Sequence, residues 1–151
     1  MNAPAPVAAL AIAEIADSDV EAVIALWQRC GLTRPWNDPA SDIALARRNP
    51  NSTVLVGRAG SAIVATAMVG HDGHRGWVYY VAVDPYCQKQ GFGRAVMDAG
   101  EAWLRAAGLP KLQLLVRREN GKAGAFYRSI GYEEADTIVF AKWIDGRTST
   151  S

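Results

Sequence analysis

The spacing of apolar residues changes period along this chain, and each change marks an element. Val7 to Ile15 is mostly apolar, with Glu14 near its end, and predicts a strand. Ser18-x-x-Glu21 is a capping-box pattern that opens a helix. Val20, Val23, Ile24 and Trp27 then recur at helical spacing, so that helix buries one face, and Gly31 can end it. Residues 31–38 form an irregular connector. Asp38 followed by Pro39 supplies an N-cap and a first helical residue for a second short helix, about Pro39 to Arg48. Ser52 to Arg58 and Ala62 to Gly70 are β-rich runs around Gly60-Ser61 and predict a hairpin. A polar loop, His71 to Gly76, leads into Trp77 to Val83, which is apolar throughout and belongs in the middle of the sheet.

Beyond this strand the helical period returns. Gly91 to Ala107 is predicted as a helix, with Val96, Ala99, Trp103, Leu104 and Ala107 on one side; Gly108 ends it and Pro110 prevents its continuation. Lys111 to Val116 reads as a strand, Asn120 to Ser129 as a short helix ended by Gly131, and Tyr132 to Trp143 as a last strand with a break near Asp136. The order is β-α-α-β-β-β-α-β-α-β, a mixed central sheet with helices on both faces, in the α/β (α+β) class.

Composition narrows the function classes. A chain of 151 residues, half of them hydrophobic, is expected to fold as a single domain over residues 1–151, with its core at about 7–144 and a flexible tail at 145–151. A net charge of +1 gives no electrostatic reason for a nucleic-acid partner. The two cysteines, Cys30 and Cys87, lack metal-ligand spacing, so no metal is expected and a reducing, cytoplasmic setting is the simplest reading. The apolar stretch Ala3 to Ile15 is short, lacks a basic flank and contains Glu14, which argues against a signal peptide or membrane span.

The candidate chemistry begins where Trp77 to Val83 runs through Asp84-Pro85 into Gln88-Lys89-Gln90-Gly91-Phe92-Gly93-Arg94. Unpaired N–H groups at a helix start attract anions, and glycines let a phosphate approach the backbone. Lys89 and Arg94 add positive charge. The plain alternative is a glycine-softened turn before an ordinary helix. A dinucleotide fingerprint fails, because Val96 stands at its last position and no acidic residue ends a strand about 20 residues later. A phosphate-binding P-loop fails because Gly121-Lys122 is followed by Ala123.

Two motifs together resemble a known family. Val81-Ala82-Val83-Asp84-Pro85 followed by Gln88-x-x-Gly91-x-Gly93 resembles motif A of the GNAT acetyltransferases. Asn120, Ala125-Phe126-Tyr127 and Gly131-Tyr132 resemble motif B at the usual separation. The matching element order covers about residues 7–144. Leu26 to Cys30, Arg34 to Pro39 and Asp72 to Gly76 look like the bacterial YpeA-type subgroup.

The resemblance implies a GNAT-like sheet with a splayed central strand pair, and acetyl-CoA as co-substrate. Val81, Ala82 and Val83 would bind pantetheine through their backbone, one N–H polarising the thioester carbonyl. Residues from Gln88 through Lys89, Gln90, Gly91, Phe92, Gly93 and Arg94 would cradle the pyrophosphate. Asn120 would contact the cofactor arm, Phe126 would pack beside it, and Tyr127 would protonate the departing thiolate as general acid. An attacking lysine-like amine has a pKa near ~10.4 and must first lose a proton. The central strand carries no carboxylate for this, and the corresponding position of the next strand is Leu115. Deprotonation through water is therefore expected, with Tyr79 or Tyr80, Asp72 and His74 as candidates for the path. Strict alternation would put Tyr79 on the face of Trp77 and Val81, with Tyr80 opposite. Arg34, Trp36 and Asn37, in the connector between the first helices, are candidate acceptor residues.

The acceptor implied is a small-molecule or peptide amine, with no nucleic acid or membrane partner and a monomeric or homodimeric state. A non-catalytic acyl-CoA-binding or regulatory module is the alternative, weighed down by Tyr127 and favoured slightly by Leu115.

Overall fold

The computed structural model describes residues 9–148. Its chain forms two compact units, residues 1–115 and 116–151. The first holds a five-stranded sheet in the order β1-β2-β3-β4-β5. Its elements are β1 (Ala11–Glu14), α1 (Val20–Arg29), α2 (Pro39–Arg47), β2 (Ser52–Ala59), β3 (Ala62–His71), β4 (Gly76–Val83), α3 (Phe92–Ala106) and β5 (Leu112–Leu114). Neighbours from β1 to β4 are antiparallel, whereas β4 and β5 run parallel. The mixed sheet of the sequence reading is thus present. The predicted first strand begins at Val7, and residues 7 and 8 lie outside the described residues.

Local chemistry sets the helix ends. Asp38 accepts a hydrogen bond from the Ala40 N–H and Pro39 opens α2, as their types predict. Ser18 does not open α1, contrary to the capping-box expectation. A 3-10 turn over Asp17–Asp19 intervenes, and the Asp19 carboxylate accepts the Ala16 N–H instead. Gly31 and Gly108 follow α1 and α3 with positive φ, where a side chain would be strained.

Two cores flank the sheet. Val23, Leu26 and Trp27 of α1 and Ile43 and Ala46 of α2 pack with Ile15, Val54, Val56 and Ala82. On the other side Phe92 and Val96 of α3 pack with Val64, Ala65 and Ala67. Helix α3 lies close enough to the sheet that a Cβ on buried Gly76 would stand 2.4 Å from Leu104 Cδ1. Gly76→Ala should therefore cost about 1–3 kcal/mol through overpacking. A urea-melt loss below about 0.5 kcal/mol would mean that Leu104 gives way freely.

The second unit contains α4 (Gly121–Ser129), with the Asn120 side chain accepting the Ala123 N–H at its start and Gly131 in positive φ beyond its end. The expected last strand, Tyr132 to Trp143, is absent among the described residues. A strand requires a ladder partner, and this segment pairs in none; instead the Thr137 N–H folds back to the Ala135 carbonyl. Ile138, Val139, Phe140 and Ile144 are correspondingly exposed. The region 145–151 was expected to be a tail; Asp145 and Arg147 form an ion pair within it, and residues 149–151 lie outside the described residues.

Candidate active site

The site begins at an irregularity in β4. Ala82 pairs with Thr66 and Tyr79 with Met68, so Tyr80 and Val81 together stand opposite Ala67. This is a β-bulge, one extra residue on β4. Tyr80 takes the strain, with φ of 51° in the left-handed region. The strict alternation expected from the sequence does not hold through it. Val78 approaches Gly100 of α3, yet after the bulge Val81 and Val83 pack in the α3 core while Tyr80 and Ala82 face α1 and α2. The inserted residue exchanges the two faces. Val81 therefore does not share a face with Tyr79.

The bulge also ends the pairing of β4 with β5. Their ladder covers only Gly76–Val78 against Leu112–Leu114. Among the described residues no strand pairs with that flank of β4 from Tyr79 to Val83, a backbone edge able to take an extended amide-bearing chain as a further strand would.

Tyr80 is held on its other side by α1 and α2. Its ring stacks on Trp27 at 3.8 Å between centroids, with planes 6° apart. Its hydroxyl donates to Asp42 Oδ2 at 2.7 Å. Burial, then the hydrogen bond to Asp42, raises the Tyr80 phenol far above its ordinary range, so it stays protonated. Trp27 Nε1 donates to Thr66 Oγ1 at 2.8 Å, and that hydroxyl donates to the Tyr80 carbonyl at 2.9 Å.

The strand's far end is fixed as firmly. Asp84 accepts the Tyr86 N–H and pairs with Arg29 at 2.9 Å, and these bonds hold its carboxyl below the usual range. Cys30 Sγ donates to the Val83 carbonyl at 3.3 Å, and burial pushes its thiol up. The chain then turns through Pro85–Cys87 and enters α3. Lys89 and Gly91 have φ of 63° and 79°, and Gly91 is the N-cap of α3 with no side-chain cap. The N–H groups of Phe92, Gly93 and Arg94 thus lack helical acceptors, at the positive end of the helix dipole. A Cβ on Gly91 would meet nothing within 4 Å, so the backbone faces open space. Lys89 and Arg94 are exposed around it. An uncapped helix start between two cations, beside an open strand edge, fits a diphosphate carrying an amide-rich arm.

The remaining residues singled out in the sequence sit in the β3–β4 turn, the α1–α2 connector, β4 and α4. Asp72 is the hub of the β3–β4 turn, accepting the His74 and Arg75 N–H groups and Trp77 Nε1. These bonds, the Arg75 N–H first, lower its carboxyl to about 2. Asp72 and His74 precede β4, roughly 23 Å of strand from Val83. Tyr79 is half-exposed and its phenol is raised by burial. Arg34 Nη1 donates to the Gly31 and Thr33 carbonyls and so helps close the connector. Asn37 donates its N–H to the Arg34 carbonyl, and Trp36 is half-buried. In the second unit the Tyr127 ring meets the edges of Phe126 and Tyr132 at 5.0 and 5.9 Å, and burial raises its phenol to about 12. Among the described residues no group of His, Cys, Asp or Glu is arranged to hold a metal ion.

Thr66, Asp42 and the Arg29–Asp84 pair were not singled out from sequence. Trp27 was visible as one member of an apolar stripe and of the Leu26 to Cys30 motif, without its partners. The partner of its ring nitrogen is 39 residues away, and no local pattern marks it.

The chain belongs to the acetyltransferase (GNAT) family, whose model matches residues 12–132. Acetyltransferase YE1169 of Yersinia enterocolitica is 42% identical over 125 residues, which cover 83% of this chain and 89% of that relative. This protein is an acetyltransferase by the same measure. Among solved structures, the ribosomal-protein-S18-alanine N-acetyltransferase of Escherichia coli aligns with a TM-score of 0.72 at 27% identity, over 84% of this chain and 79% of that one. An aminoglycoside N-acetyltransferase in complex with CoA shares the fold, with a TM-score of 0.79 at 13% identity over 90% and 95% of the two chains.

Proposed function

We propose that this enzyme transfers an acetyl group from acetyl-CoA to a primary amine, by direct attack of the amine on the thioester. The observation that carries this reading is the open flank of β4 from Tyr79 to Val83, next to the uncapped start of α3. Acetyl-CoA supplies the activated acyl group. Val81, Ala82 and Val83 bind its pantetheine arm through backbone N–H and C=O groups. Gln88 to Arg94 bind the pyrophosphate, with Gly91 and Gly93 giving room and Lys89 and Arg94 giving charge. A backbone N–H at the bulge stabilises negative charge on the acetyl oxygen. Asn120, Phe126 and Tyr127 enter through their motif: Asn120 and Phe126 beside the cofactor arm, Tyr127 as the acid that returns a proton to sulfur.

The acceptor is a small-molecule or peptide amine. The E. coli neighbour's name specifies a protein alanine and the CoA-bound neighbour's an aminoglycoside, so both chemistries belong in the first trials. Acceptor recognition is assigned to Trp36 and Asn37 of the connector and to Tyr79, with deprotonation through water. Asp72 and His74 serve the β3–β4 turn, and Arg34 serves the connector.

Saturating acetyl-CoA should raise the melting temperature by several degrees, as for any ligand bound only by the folded state. Absence of a shift with both acetyl-CoA and CoA would remove the reading. Thiol release with an aminoglycoside, an alanine-terminated peptide and free lysine then tests transfer.

A further inference from the structure

We propose that Thr66 is a positioning residue for catalysis: its buried hydroxyl locks the bulge so that the Val81 N–H is aimed at the acetyl carbonyl. The inference rests on the acetyl-CoA reading above and adds the group that holds its oxyanion donor in place.

The argument starts from hydrogen-bond valence. Thr66 is fully buried, and its hydroxyl has one proton to give. An indole N–H can only donate, so Trp27 Nε1 must use a lone pair of Thr66 Oγ1. The single hydroxyl proton is thereby committed to the Tyr80 carbonyl, 2.9 Å away. The Trp27–Thr66 bond is buried and the Thr66–Tyr80 bond part-buried.

The next link is peptide geometry. The Tyr80 carbonyl and the Val81 N–H belong to one planar trans unit and point in opposite directions. Thr66 is on β3, and β5 lies on the other side of β4. A carbonyl turned to Thr66 directs the Val81 N–H away from β3, towards the flank that β5 has left. That flank is where the thioester is expected to run. The left-handed conformation of Tyr80 makes this turn of the peptide possible, and a tyrosine does not adopt it unaided. The Trp27 stack and the Asp42 hydrogen bond hold the side chain, and Thr66 holds the carbonyl.

The test separates this role from general support of the fold. CoA and acetyl-CoA share every contact except those to the acetyl group. Thr66→Val keeps the volume and removes the hydroxyl, whereas Thr66→Ser keeps the hydroxyl and removes a methyl. By titration calorimetry, Thr66→Val should weaken acetyl-CoA about tenfold while CoA changes less than about threefold. Thr66→Ser should bind both ligands as the unaltered protein does, even if it melts lower. Equal losses for the two ligands in Thr66→Val, or loss of acetyl-CoA selectivity in Thr66→Ser, would overturn the assignment. If the unaltered protein binds neither ligand, the acetyl-CoA reading itself fails. Should Thr66→Val not fold, amide exchange on the unaltered protein carries the test. The Val81 amide should be protected by acetyl-CoA and much less by CoA; equal protection by both, or by neither, would refute the aim of this N–H.

Discussion

The Tyr127→Phe enzyme is expected to lose about 10²–10⁴-fold in kcat, the range of a positioned general acid, with the acetyl-CoA dissociation constant unchanged within about twofold. The phenol is half-buried between the rings of Phe126 and Tyr132, and burial raises it to about 12. The sign matters. A raised phenol is fully protonated at neutral pH, so it keeps a proton to give. A thiolate with a pKa near that of cysteine, about 8.5, gains mainly a hydrogen bond that strengthens in the transition state. The same shift predicts that no alkaline fall in rate before about pH 11 comes from Tyr127 itself. Phenylalanine keeps the packing and removes only the donor. Turnover equal to that of the unaltered enzyme would exclude Tyr127 from the acid role, and a parallel loss of acetyl-CoA binding would assign it to binding instead.

The largest expected effect on stability belongs to Trp27→Ala. The side chain is fully buried, stacks on Tyr80 and satisfies Thr66. Truncation should cost about 3–5 kcal/mol from lost burial and the cavity left behind. Domains of this size are stable by about 5–15 kcal/mol, so a marginal or partly unfolded variant is the expected result. The urea midpoint should fall with the slope unchanged. A loss below about 1 kcal/mol would mean that α1 re-packs over the bulge and that the stack contributes little.

Much of the fold was legible because its signals are local. Asp38 and Pro39 name the start of α2, and Gly108 the end of α3, since capping and left-handed backbone depend on one or two residues. The apolar run before Val83 announced a central strand because both its faces are covered. The failures have equally physical origins. Before α1 a 3-10 turn intervenes, the Asp19 carboxylate turns back to the Ala16 N–H and no side chain caps α1, a choice among adjacent polar residues that spacing does not separate. Residues 132–143 have β-type composition, but composition does not supply a ladder partner. The three hydrogen bonds that the Asp72 carboxylate accepts inside its turn were likewise not marked by any spacing.

The phosphate-binding candidate was readable from Gln88 to Arg94 together with Asn120 and Tyr127, because glycine placement and charge are properties of a short segment. What the sequence by itself determined was therefore the order of the elements as far as α4, the glycines at their ends and the family these motifs belong to. The family resemblance had implied a splayed strand pair; only the tertiary structure decided that the bulge falls at Tyr80, that the faces exchange beyond it and that β4 parts from β5 after Val78. Nothing in Trp77 to Val83 marks where an extra residue enters. The bulge is fixed by partners distant in sequence, Trp27, Asp42 and Thr66, whose combined stacking and hydrogen bonds outweigh a tyrosine's aversion to positive φ.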